Sequence, residues 1–210
     1  LKEKYAGQLE VFLGLERDFF WAPDGGGWDY VVGSVHYVEK DGVWLGVDYG
    51  REVFQENAAR HYGGDCIAFA EDYYRLVGEV PERTGCQIVG HFDLITKFNE
   101  GGQLFDTTGP RYVNAALDAL DRLAERDVVF EINTGAMSRG YRTAPYPAPW
   151  LLRAMHERNL PICITSDCHS RANLLYAFPQ AEELAWNCGY RERMVLTGNG
   201  FAAQGLERPR

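Results

Sequence analysis

Residues 128–169 read VVFEINTGAMSRGYRTAPYPAPWLLRAMHERNLPICITSDCH, and this stretch decides the fold. It opens on a short apolar, β-rich run, Val128 to Ile132. It then passes through a glycine-bearing loop into a helical segment from Ala148 to Asn159, with Pro149 in the first turn. It re-enters an apolar run, Pro161 to Thr165. A strand, a helix and a second strand of this kind form a βαβ unit, which requires a parallel sheet. The second run ends on Ser166-Asp167-Cys168-His169, so side chains able to bind a metal stand at the carboxyl end of a strand.

The same alternation extends outward in both directions. Gln8 to Leu15, Tyr30 to Val35 and Cys86 to Gly90 read as strands, and Met194 to Thr197 as a last one. Asp65 to Val80, Tyr112 to Arg126 and Leu174 to Cys188 carry helical spacing of apolar residues. Tyr37 to Gly64 breaks the rhythm, and Asp41-Gly42 between two apolar runs predicts a hairpin or long loop there. Gly25-Gly26-Gly27 is a loop without the Gly-Lys-Ser/Thr continuation of a phosphate cradle.

Composition bounds the function. The chain has 210 residues, 46% hydrophobic and 24% charged, enough for one α/β domain. Its net charge of −9 disfavours nucleic acid and anionic membranes as partners. No apolar run reaches the ~18 residues of a membrane span. Five scattered cysteines without a CxxC pair point to a reducing, cytoplasmic setting. Oligomeric state is left open.

The candidate site is positional. Glu16 follows the first strand, His36 the second, His91 and then Asp93 the third, and Asp167 and His169 the fifth. In a parallel α/β barrel the carboxyl ends of the strands form one rim, where sites are built from several strands. A mixed imidazole and carboxylate cluster there suits zinc, manganese or iron. Lys97, Arg139 and Arg142 lie in loops past strand ends and offer cations to a small anionic substrate, Arg139 being best placed because Gly135 and Gly140 flank it. His61 and His156 read as solvated structural residues, and the tryptophans as loop packing.

Five motifs in order, GLERDF (14–19), GSVHY (33–37), GHFDLITKF (90–98), FEINTG (130–135) and ITSDCHS (164–170), resemble the PHP (polymerase and histidinol phosphatase) superfamily, in its histidinol-phosphatase branch. The resemblance implies a distorted (β/α)7 TIM-like barrel over residues 1–210, with up to three divalent ions. It implies hydrolysis of L-histidinol phosphate, a small phosphorylated substrate of histidine biosynthesis. By motif, Glu16 matches a carboxylate bridging two ions, His36 and His91 match ligands of one of them, and Asp167 matches a ligand of the pair. His169 matches a ligand of a third ion, and Lys97 and Arg139 match cations facing the phosphate. Asp167 is also a candidate proton donor to the leaving group.

The family's leading strand with His-x-His and its second strand ending in Asp-His have no counterpart in this sequence. The expectation is an N-terminally truncated chain whose barrel is open and whose metal set is incomplete. Two other functions are consistent with the residues: a PHP-type phosphoesterase acting on a nucleotide or sugar phosphate, and a non-catalytic barrel.

Overall fold

A computed structural model describes residues 1–22 and 25–208. Five strands make one all-parallel sheet: β1 (Gly14–Asp18), β2 (Tyr30–Ser34), β5 (Ile88–Val89), β6 (Val129–Asn133) and β7 (Ile162–Thr165), in that order across the sheet. Between β2 and β5 stand a hairpin, β3 (Tyr37–Lys40) with β4 (Val43–Gly46), and three helices, α1 (Arg51–Tyr62), α2 (Cys66–Val77) and α3 (Val80–Thr84). Helix α4 (Pro110–Leu123) leads into β6. Helices α5 (Gly135–Ser138) and α6 (Pro149–Glu157) separate β6 from β7. The chain then forms α7 (Phe178–Asn187) and an antiparallel hairpin, β8 (Glu192–Thr197) with β9 (Gly200–Gly205).

The apolar stripes explain the layers. On α2, Phe69, Tyr73, Leu76 and Val77 are buried, and on α4, Tyr112, Ala116, Leu120 and Leu123. These two helices pack on each other and on the sheet, and the Tyr74 and Tyr112 hydroxyls pair at 2.7 Å inside the core. Helix α2 begins where Asp65 caps it, its carboxylate accepting the Ile67 and Ala68 amides. Gly33 on β2 carries the close approach of α3, because a Cβ there would stand 2.4 Å from Val80 and 2.6 Å from Thr84.

Several sequence-based boundaries shift. The first strand is not Gln8 to Leu15 but Gly14 to Asp18. Its described partner β2 begins at Tyr30, in register with Gly14, so the residues before Leu13 have no strand to pair with. Glu16 is therefore mid-strand rather than past the strand end. The helix predicted from Asp65 to Val80 is broken at Gly78–Glu79, and α3 starts afresh with Pro81 in its first turn. The helix predicted from Leu174 starts at Phe178, since Ala177 adopts a left-handed φ of 56° and Pro179 suits only a first turn. Met194 to Thr197 belongs to the β8–β9 hairpin, not the parallel sheet. The hairpin at Asp41-Gly42 is present, but α1 was not legible because its apolar face is narrow, with Phe54 and Ala58 buried. His61 thus lies on α1 rather than in a loop. Trp21 and Trp44 are both 60% exposed, and Trp44 stacks on Phe20 at 5.4 Å.

Among the described strands, β1 and β7 are the two sheet edges and do not pair with each other. An open cavity of about 630 Å³ lies between the sheet and the β8–β9 hairpin, lined by Val32, Ile88, Cys163, Met194 and Phe201. No described helix is long and apolar enough to cross a membrane.

Candidate metal centre and anion cavity

Adjacent parallel strands β1, β2 and β5 bring three ligand-capable side chains together. Glu16 is the central residue of β1, and His36 and His91 lie two residues past the ends of β2 and β5. Glu16 Oε1 is 3.4 Å from His36 Nε2 and 3.1 Å from His91 Nε2. The Ser34 hydroxyl donates to the same oxygen at 2.7 Å. The two imidazole rings meet edge to face at 5.1 Å. One ligand atom from each of Glu16, His36 and His91 lies within 4.8 Å of the others.

Two carboxylates behind this cluster were missed from sequence. Asp18 Oδ2 accepts the His36 backbone N–H at 2.9 Å and lies 3.2 Å from His36 Nδ1. A carboxylate at one ring nitrogen fixes the tautomer and leaves the other nitrogen free to ligate. The signal was available: Glu16-x-Asp18 on one strand places both acids on one face. Glu131, buried in β6, accepts the His91 backbone N–H at 2.8 Å, the Asn133 side-chain amide at 3.0 Å and the Thr165 hydroxyl at 2.5 Å. An acid inside the apolar run VVFEI was its signature.

The charges follow. Burial works against ionised Glu16, but hydrogen bonds from His36 and His91 reverse that and hold its carboxyl well below the usual range. Burial likewise disfavours the imidazolium of His36, yet its bonds to Asp18 and Glu16 push it up to about 10. His91 also moves up, Glu16 outweighing its burial. Burial carries Glu131 upward against the pull of His91 and Thr165.

The residues fit a divalent cation. Two imidazole nitrogens and a carboxylate oxygen converge from three adjacent strands, and that donor set is one that zinc, manganese and iron take. His91 Nδ1 is buried without a hydrogen-bond partner, so the ring is not committed to a structural network on that side.

The opposite wall carries the cations. Arg139, the C-cap of α5, directs Nη2 to Asp167 Oδ2 at 2.9 Å and Nη1 to the Asp167 carbonyl at 2.9 Å. Nη1 also lies 3.2 Å from His169 Nδ1. Lys97 is buried, donates to the Asp48 carbonyl at 2.9 Å and carboxylate at 3.1 Å, and sits 4.8 Å from the Tyr141 ring centre. Seven of the nine predicted candidates, Glu16, His36, His91, Lys97, Arg139, Asp167 and His169, line one cavity of about 230 Å³ together with Asp48 and Tyr146. Asp167 and His169 are in direct contact with Arg139 and are not part of the three-residue donor cluster.

Two candidates are turned away. Asp93 is fully buried and accepts the Ala148 amide at 3.0 Å, so it anchors the start of α6 instead of facing the cavity. Arg142 donates to Thr96 and Ala144 and stacks on Tyr146 at 4.5 Å, which ties the loop after α5 to the body of the protein.

Gly135 leaves the room that the Arg139–Asp167 pair fills. A Cβ there would lie 2.7 Å from Asp167 Oδ2 and 2.9 Å from Arg139 Nη2. Gly135→Ala is therefore expected to push the Arg139–Asp167 pair apart. We expect about a tenfold loss in kcat/KM for phosphate-ester hydrolysis, with a stability cost of about 1–3 kcal/mol for overpacking. Steady-state kinetics and chemical denaturation check both; wild-type kinetics would show that the pair is not needed in this geometry.

No protein-family model matches the chain. A probable histidinol-phosphatase of Deinococcus radiodurans is 37% identical over 190 residues, which cover 86% of this chain and 66% of that protein. The histidinol-phosphatase of Bacillus subtilis is 26% identical over 193 residues, 85% of this chain and 70% of that protein. The chain thus spans 66–70% of the length of these curated relatives. Among solved structures, a putative histidinol phosphatase from Listeria monocytogenes superposes with a TM-score of 0.70 at 22% identity, over 85% of this chain and 71% of that one. A histidinol phosphate phosphatase from Lactococcus lactis, solved with zinc, L-histidinol and phosphate, gives 0.64 at 16% identity, over 96% and 75%. These two likenesses establish a shared fold, a mixed α/β architecture around a parallel sheet. The family rests on the sequence match to the Deinococcus protein, 37% identical over 86% of this chain: the chain belongs to the histidinol-phosphatase family.

Proposed function

We propose that this chain carries out metal-dependent hydrolysis of L-histidinol phosphate to L-histidinol and phosphate, in the cytoplasm, as a step of histidine biosynthesis. The observation that carries the reading is the junction, in one cavity, of the Glu16–His36–His91 donor cluster with Lys97 and Arg139. The Lactococcus relative's bound zinc, histidinol and phosphate support the same chemistry here.

The cluster would hold one divalent ion, and Asp167 and His169 offer donors for a further one. Such ions activate water at neutral pH and neutralise phosphoryl oxygens. The protein's own groups do the rest. Asp18 and Glu131 hold His36 and His91 by side chain and backbone, so the donors need no reorganisation. Lys97 supplies a point charge and Arg139 a planar fork to the phosphate oxygens. The departing alkoxide needs a proton. His169 is largely exposed, so this side of the cavity is open to solvent that can supply it.

A panel of phosphomonoesters tests the reading: L-histidinol phosphate, nucleoside monophosphates and sugar phosphates, each with zinc, manganese or iron added. L-Histidinol phosphate should be hydrolysed with a kcat/KM at least about tenfold above any other ester, and a chelator should abolish the activity. Equal rates across the panel, or none, would overturn the assignment.

A further inference from the structure

Lys97 meets the cavity with its charge already answered. Its side chain is 10% exposed, and Nζ donates to the Asp48 carbonyl at 2.9 Å and to Asp48 Oδ2 at 3.1 Å. A lysine this buried needs a counter-charge. The two residues come from different elements: Asp48 follows β4, and Lys97 closes the single turn Leu94–Thr96 past His91. Both line the cavity that holds the donor cluster. A phosphate that reaches Lys97 therefore also meets a carboxylate. An anion alone is drawn to the lysine and repelled by the aspartate beside it.

Three carboxylates line the cavity: Glu16, Asp48 and Asp167. Glu16 belongs to the imidazole cluster. Arg139 holds Asp167 through its Oδ2 and its carbonyl. Asp48 is the one with capacity left. Its Oδ2 faces Lys97, its Oδ1 accepts no hydrogen bond among the described residues, and its side chain is 24% exposed. A carboxylate oxygen with free lone pairs, in a cavity beside a cation for phosphate, is an acceptor for a positively charged donor.

We propose that Asp48 selects the substrate by binding its ammonium group. L-Histidinol phosphate carries an ammonium on the carbon next to its ester methylene, so its two charges are neighbours, as those of Lys97 and Asp48 are. With the phosphate at Lys97 and the ammonium at Asp48, all four charges are paired. Nucleoside monophosphates and simple sugar phosphates have no ammonium. They set a phosphate against an unanswered carboxylate, so the site selects by repulsion as well as by attraction. This rests on the phosphatase reading above and names the group that gives it specificity. Both side chains already stand in place.

The test compares L-histidinol phosphate with its desamino analogue, imidazolylpropyl phosphate, which keeps the ring and the ester and lacks only the ammonium. Binding to the full chain is measured by titration calorimetry with metal removed by a chelator, so that neither ester turns over. Wild type should bind L-histidinol phosphate at least about tenfold more tightly than the analogue. Asp48→Asn should shrink this preference to within about twofold, by weakening the first ester and tightening the second. Asp48→Glu keeps the charge and should keep the preference to within about threefold. If Asp48 only holds Lys97 in place, Asp48→Asn weakens both esters by the same factor and the preference survives; that result overturns the proposal. So does a wild type without preference, a comparison that needs no variant to fold. Failure of the metal-free chain to bind either ester also overturns it, because Lys97 and Asp48 need no ion to stand where they do. Hydrolysis of L-histidinol phosphate by the metal-loaded chain decides the phosphatase reading separately.

Discussion

Glu16→Gln should lower turnover of L-histidinol phosphate by about a thousandfold or more and weaken binding of the first ion by at least about a hundredfold. One oxygen of Glu16 is the common partner of His36, His91 and Ser34. The glutamine is nearly isosteric and can still accept from Ser34. It cannot supply the negative charge that two imidazoles and a cation share. Substrate affinity should change far less, because Lys97 and Arg139 stay on the other wall. The comparison needs kcat and KM at saturating metal, with metal content measured on the same samples. Turnover within a factor of a few of wild type would remove Glu16 from the chemistry.

Glu131 separates position from charge. Glu131→Ala strips partners from the His91 amide, the Asn133 amide and the Thr165 hydroxyl, all around a site only 5% exposed. Leaving buried donors unpaired costs about 1–3 kcal/mol each, so a total loss of about 3–5 kcal/mol in urea unfolding is expected. Glu131→Gln keeps an acceptor for His91 and a group for Thr165, and should stay within about 1 kcal/mol of wild type. The pH dependence carries a sign. Burial raises the Glu131 carboxyl above its unfolded value, so the native state holds its proton longer than the unfolded chain. Stability from this group is then full below the unfolded carboxylate value and falls as pH rises toward the raised native one. Glu131→Gln should remove that downward slope. An alanine variant as stable as wild type would show that the carboxylate only fills space.

The candidate site was more legible than the fold around it. Strand ends in a parallel sheet converge, so reading Glu16, His36, His91, Asp167 and His169 off the ends of apolar runs collected residues of one cavity. The same rule misled at Asp93, whose carboxylate the chain folds inward to anchor Ala148, a long-range contact that no local pattern encodes. Glu16 was found for an inexact reason, since β1 begins where β2 offers a partner and not where β-rich residues begin. Asp18 closes β1 but escaped because the predicted strand stopped at Leu15, and Glu131 escaped because it lies in the middle of β6. Helix α1 escaped because it buries too little apolar surface to show a period.

The order of strands gives the donor cluster a second consequence. Glu16, His36 and His91 belong to three neighbours in the sheet, and β1 is bonded to β2 alone among the described strands. An edge strand of five residues is the part of such a sheet that frays first, on its own and well before global unfolding. An ion gripped by all three side chains laces that edge to the two strands inside it. Since it binds only when β1 is docked, mass action converts its affinity into protection of the edge. The amides of β1 therefore become a gauge of site occupancy: their hydrogen exchange should slow with each increment of free metal, while that of the buried helices α2 and α4 stays as it was.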